Sequence, residues 1–153
     1  MITKLKYAGV RYQDLIHIYI LYIRSVLEYC SVLWHSTLTV EQSQAIERVQ
    51  KTCLKIILGS EYTSYSDALG YTGLELLSER RETRCLQFGL KCLVHPLHHR
   101  MFPANPQLDN DSRIRQQEHF VVNKARTESY KSSAIPYIQR KLNHYVKSQY
   151  RKL

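Results

Sequence analysis

From Tyr12 to about Leu33, apolar residues recur at Leu15, Tyr19, Tyr22, Val26, Tyr29 and Leu33, with Ile16, Ile18, Ile20 and Ile23 beside them. Residues three and four apart share one face of an α-helix, so this spacing predicts a helix with a broad buried stripe. A helix this apolar has to be covered by others, which commits the chain to a helical core. Arg24 and Glu28 interrupt the run, leaving it short of the roughly 20 apolar residues that span a bilayer.

Further along, Thr39 stands where an N-cap is expected, with Gln42 three residues on as the other half of a capping box. The helix it opens runs from Val40 to about Leu58, burying Ile46, Val49, Cys53, Ile56 and Ile57, and Gly59 supplies the left-handed stop. Ser66-Asp67-Ala68-Leu69 reads as a short helix, with Gly70 and Gly73 as punctuation. Ser78 can cap a third long helix to about Val94, which buries Cys85, Leu86, Phe88, Cys92 and Leu93 and ends at Pro96. Gly89 in its middle weakens the helix and points to a close helix contact there. Prolines 96, 103 and 106 mark an irregular connection, and Phe120-Val121-Val122 is a brief extended segment without a partner strand in view. The last helix begins near Ser133 with Pro136 in its first turn, burying Ile135, Ile138, Leu142, Tyr145 and Val146. The expected fold is all-α, an irregular bundle of about four to five helices with a basic C-terminal helix or tail. Residues 1–95 form the helical core, 96–115 a linker, and 116–153 a basic helical segment packing on or extending from it.

Charge divides the chain more sharply than hydrophobicity does. Met1 to Asp111 carries twelve Lys and Arg against eleven Asp and Glu, whereas Ser112 to Leu153 carries ten against two, Glu118 and Glu128. A tail of this kind favours polyanions by releasing condensed counterions. Nucleic acid is the expected partner, although an anionic membrane surface satisfies the same charge. Tyr130, Tyr137, Tyr145 and Tyr150 offer either stacking on bases or ordinary packing. The N-terminus lacks the basic start, apolar middle and small-residue cleavage site of a secretory leader, so an intracellular protein, cytoplasmic or nuclear, is expected. Cys30, Cys53, Cys85 and Cys92 sit at apolar positions of expected helices and read as reduced core residues.

Positions i, i+4, i+7 and i+11 of a helix stack in one narrow strip. Three expected helices place basic or polar residues on that spacing, opposite their apolar faces. They are Gln44, Arg48, Lys51 and Lys55; Arg80, Arg84, Gln87 and Lys91; and Arg140, His144, Lys147 and Arg151. No acid occupies any of these positions. A polar strip is what any solvated helix face presents, but three acid-free strips with a basic tail make the electrostatic footprint of a nucleic-acid binder.

The segment from Leu21 to Gly59 resembles one family. Its carrying residues are Ile23-Arg24-Ser25-Val26-Leu27-Glu28-Tyr29-Cys30, Trp34-His35-Ser36, Leu38-Thr39, and Ile46-Glu47-Arg48-Val49-Gln50-Lys51 running into Leu54-Lys55-Ile56-Ile57. Leu5-Lys6 and Gly9-Val10 before it, Gly73-Leu74, Leu77 and Arg80-Arg81 after it, and then Arg126-Thr127, Tyr130, the run Ser133-Ala134-Ile135-Pro136-Tyr137 and Leu142-Asn143 extend it more thinly. These residues resemble the region after the polymerase core in non-LTR retrotransposon reverse transcriptases of the jockey type. The resemblance implies a thumb that grips template and primer through phosphate and sugar, since a polymerase must hold any sequence it copies. On that basis the strip residues Arg48, Lys51, Lys55, Arg80, Arg84 and Lys91 hold the backbone, and Arg140, Lys147 and Arg151 extend the track. The alternative is a helical interaction module that docks on a separate polymerase core through its Tyr-rich first helix, or a degenerate remnant of an element.

Independent catalysis is not expected. Asp14, Asp67, Asp109 and Asp111 are the only aspartates and no two are adjacent, whereas two-metal nucleotidyl transfer needs carboxylates held together. Cys85, Cys92, His95, His98 and His99 bring metal ligands near one helix end, but the second spaced pair of a zinc site is missing. Neither a metal nor a cofactor is expected.

Overall fold

A computed structural model describes residues 1–105, 118–122 and 124–150. Among them the only extended pairing is an isolated antiparallel bridge between Ala104 and Phe120, and the fold is all-α. Helix α1 covers Ile2–Tyr7. A longer helical segment follows as α2 (Tyr12–Ile18), a π-helical stretch (Tyr19–Arg24) and α3 (Ser25–Leu27). The others are α4 (Ser31–Trp34), α5 (Val40–Leu58), α6 (Tyr65–Thr72), α7 (Leu77–Val94), α8 (Glu128–Lys131) and α9 (Ala134–Tyr150). The long helices α5, α7 and α9 fall where periodicity places them, and the short elements between them raise the number above the expected four or five.

Two compact units share these elements: Met1–Cys30 with Leu38–Arg81, and Ser31–Thr37 with Glu82–Leu153. The packing thus divides the chain inside α7 rather than at residues 95 and 116. Within the expected linker, Phe102 is only 2% exposed and belongs to the core of the second unit. Residues 106–115 of that linker lie outside the described residues.

In the first unit, Ile2, Leu15, Ile16 and Tyr19 pack with Cys53, Leu54, Ile57 and Leu58 of α5 and with Ala68 and Leu74. The Thr39 capping box forms as expected: Gln42 N–H donates to Thr39 Oγ1 at 3.2 Å, and Thr39 N–H to Gln42 Oε1 at 3.0 Å. At the other end of α5, Lys6 Nζ donates to the carbonyls of Ile56 at 2.6 Å and Ile57 at 3.2 Å. A cation there satisfies carbonyls that the helix leaves open and complements its dipole. Gly59 follows at φ +61°, a backbone conformation that favours glycine.

The first apolar stripe is only partly buried. Leu15 and Tyr19 are enclosed, but Tyr22, Val26, Tyr29 and Leu33 are 63, 73, 76 and 66% exposed. For Tyr22 and Val26 the cause is the π-helical stretch, whose wider turn takes up an extra residue and so advances the face by about 100°. Ile23 and Leu27 rotate inward in their place, and Glu28 is buried just past the helix end. The helix stops at Leu27, and Cys30, expected in the core, is exposed in a turn at φ +50°. Val49 and Phe88 are also exposed rather than buried. Ser78 lies one residue inside α7 rather than capping it.

Cys85, Cys92, Phe102, Ile138 and Leu142 form the core of the second unit. Here α7 and α9 meet at Gly89, where an added Cβ would approach Ile138 Cγ2 to 2.6 Å and two Leu142 carbons to 3.2 Å. The side chain of Asn143 on α9 pairs with the backbone of Phe120, accepting from its N–H at 2.8 Å and donating to its carbonyl at 3.0 Å. That bracket holds the extended segment that sequence leaves without a partner. An ion pair between Glu82 and Lys141 also joins the two helices.

Two glycine substitutions should move stability in opposite directions. Gly70 sits in α6 with open space at its Cβ position, so Gly70→Ala should raise stability by about 0.5–1 kcal/mol through helix propensity. Gly89→Ala gains the same propensity but overpacks Ile138, which costs about 1–3 kcal/mol, and it should lower stability overall. Urea midpoints of the two variants check both signs.

Candidate nucleic-acid interface

Helix α5 buries Gln50, Cys53, Leu54, Ile57 and Leu58. With that side committed, Gln44, Arg48, Lys51 and Lys55 are all exposed on the opposite side. Lys55 Nζ stands 5.4 Å from the centre of the Tyr62 ring, a cation–π contact that limits its range. Among the described residues, Arg48, Lys51 and Lys55 take part in no ion pair. Three cations on one rigid helix face attract a polyanion without having to break an ion pair first.

Arg80 is differently placed. Its Nε lies 3.0 Å from Glu28 Oε1, and Glu28 is 3% exposed. Arg24 approaches the same carboxylate at 3.8 Å, and Glu75 reaches Arg80 at 3.9 Å. A buried carboxylate without its partners is costly, so Arg80 is held for the fold. The strip on α7 therefore starts with a structural residue, continues through half-buried Arg84, and reaches exposed positions only at Gln87 and Lys91. Arg81, next to it, is fully buried and donates to Ser43 Oγ at 3.0 Å.

On α9, Arg140, His144 and Lys147 are exposed, while Arg151 lies outside the described residues. Arg140 donates from one guanidinium nitrogen to the Lys131 carbonyl at 2.9 Å. Arg48, Lys51, Lys55 and Arg80 thus belong to the first unit, and Arg84, Lys91, Arg140 and Lys147 to the second.

The pose of α5 depends on a polar network in the first unit. Gln50, fully buried, accepts from the Tyr19 hydroxyl at 2.6 Å and donates to the Tyr65 hydroxyl and the Glu75 carbonyl, both at 2.9 Å. Tyr65 in turn donates to Glu47 Oε1 at 2.5 Å, and the same oxygen accepts the Leu77 N–H at 3.2 Å, at the start of α7. Burial raises the Tyr19 phenol well above its ordinary value. Burial also raises Tyr65, helped by the carboxylate to which it donates. In the second unit Tyr137 is pushed up to about 12, again by burial first and then by Glu82. Its hydroxyl lies 3.3 Å from His35 Nε2, with the two rings edge to face.

Asp14 pairs with Arg11 at 3.1 Å, and Asp67 accepts from Thr63 and Ser64 at the start of α6. Asp109 and Asp111 lie outside the described residues. Cys85 and Cys92 are enclosed in the core, whereas the His95 and His98 rings stack 4.1 Å apart in an exposed turn. Among the described residues no three His, Cys, Asp or Glu side chains are grouped to hold a metal. No single described helix is long and apolar enough to cross a membrane.

The raised phenols set the sign of the alkaline response. Below pH 10, the ordinary phenol value, Tyr19, Tyr65 and Tyr137 are neutral in both the folded and the unfolded chain. Above it the unfolded chain loses these protons first, so stability should fall from about pH 10 upward through the titration of Tyr137. Tyr19→Phe should make that fall shallower, yet at neutral pH cost about 1–3 kcal/mol because Gln50 Oε1 loses its donor. Urea unfolding across an alkaline pH series reads both effects.

No protein-family model, curated protein or solved structure matches the chain, so its functional reading rests on its own residues.

Proposed function

We propose that the chain is a non-catalytic, thumb-like part of a retrotransposon RNA-directed DNA polymerase that grips nucleic acid by its backbone, independent of sequence. The observation that carries this reading is the row Arg48, Lys51 and Lys55 on α5, exposed and without an acidic partner among the described residues. Lysine and arginine at successive turns suit phosphates, which offer charge but no base information. The resemblance of residues 21–59 to the region after the palm of jockey-type enzymes supports the same role. Glu28, Glu47 and Gln50, which carry part of that resemblance, are engaged in holding helices together, as a gripping element requires. The grip itself needs neither metal nor cofactor.

A second reading is favoured by one specific observation. Leu21, Tyr22 and Val26 are 65, 63 and 73% exposed along one helical segment, with Tyr29 76% exposed in the turn that follows it, and exposed apolar patches commonly mark docking surfaces. On this reading a separate polymerase core covers the stripe. Salt distinguishes the two, because backbone binding weakens steeply with ionic strength and apolar docking does not.

The triple variant Arg48→Gln, Lys51→Gln, Lys55→Gln should weaken duplex binding and reduce the slope of log affinity against log salt by about 2.7, from about 0.9 per phosphate contact. Because all three side chains are exposed, folding should be preserved. An unchanged affinity and slope would rule out this face as the grip.

A further inference from the structure

We infer that the second unit carries a separate site for single-stranded nucleic acid, built from Lys124, Arg126, Tyr130 and Arg140. Two hollows meet at Lys124. One, of about 520 Å³, is lined among the described residues by Lys124, Arg126, Thr127 and Tyr130. The other, of about 470 Å³, brings Lys124 together with Lys131, Arg140 and Glu128. Glu128 is paired with Lys131 at 3.2 Å, which leaves the charge of Lys124, Arg126 and Arg140 uncompensated. Lys124 and Arg126 are exposed and make no hydrogen bond or ion pair among the described residues. Arg140 is tethered through the Lys131 carbonyl, which fixes one cation on the wall of the second hollow.

Both hollows are shallow and open to solvent, so a flexible phosphodiester strand can lie along Lys124, Arg126 and Arg140 with its phosphates against them. Tyr130 decides between strand and duplex. It is 43% exposed on the wall of the first hollow, and an aromatic ring there stacks on a base only when that base is not already stacked inside a helix. The site therefore takes an unpaired strand, with phosphates on Lys124, Arg126 and Arg140 and a base against Tyr130. Strip spacing along helices does not reveal this group, because Lys124 and Arg126 precede α8 and only folding brings Arg140 to the hollow that Lys124 lines.

The inference rests on the reading of the chain as a nucleic-acid binder, but not on the α5 row. It is tested with the full chain by fluorescence anisotropy, using labelled oligothymidylate and a duplex of equal length over a salt series. For Lys124→Gln with Arg126→Gln, oligothymidylate affinity should fall about tenfold or more and the salt slope by about 1.4, from about 0.7 per phosphate on a single strand. Duplex affinity should stay within about twofold of the unsubstituted chain. Tyr130→Ala should cost about tenfold on the strand without changing the slope, and Tyr130→Phe should retain affinity, as stacking requires. Unchanged oligothymidylate affinity in the double variant would overturn the site, as would equal losses on strand and duplex. Binding that depends on Lys124 and Arg126 but is seen only with phosphatidylserine vesicles would overturn it as well. If the α5 triple variant keeps full duplex binding while the double variant loses the strand, the α5 grip fails and this site stands.

Discussion

Gln50 is the side chain on which the first unit depends. Placed on the buried face of α5, it is the common partner of Tyr19 in the π-helical stretch, Tyr65 in α6 and the Glu75 carbonyl just before α7. A buried amide leaves a costly unpaired group whenever one of these partners moves, so the network specifies a single arrangement more strongly than apolar packing alone. Glu47, one turn earlier, adds Tyr65 and the first N–H of α7. With two turns of α5 committed inward in this way, the rotation of the helix about its axis is fixed, and with it the outward direction of Arg48, Lys51 and Lys55.

This dependence separates the cations into two groups that look alike in the sequence. Arg80 and Arg81 neutralise or satisfy groups inside the fold, Glu28 in one case and Ser43 in the other. Arg48, Lys51, Lys124 and Arg126 compensate nothing among the described residues. Net charge treats all of them equally, but only the second group presents an unspent field to a polyanion. The proposed grip and the proposed strand site both rest on that distinction rather than on the total charge of +9.

Legibility in the sequence followed the range of the interaction. The capping box of Thr39 and Gln42, the stop at Gly59 and the close contact at Gly89 were readable, because a short spacing or a single missing Cβ determines each. The π-helical stretch was not, since one extra residue in a turn leaves no compositional mark yet turns Tyr22 and Val26 outward. The burial of Gln50, Arg81 and Glu28 has no local signal, since it depends on partners 25 to 52 residues away. The α5 row was legible from spacing alone, whereas Lys124 comes to share a hollow with Arg140 only through folding.

A sequence-independent backbone grip is read from the salt dependence of duplex binding by the unsubstituted chain, measured with two duplexes of equal length and unrelated sequence. Log affinity should fall linearly with log salt, by about 0.9 for each phosphate held, with the same slope and affinity for both duplexes. A flat salt response, or a strong preference for one sequence, would contradict it.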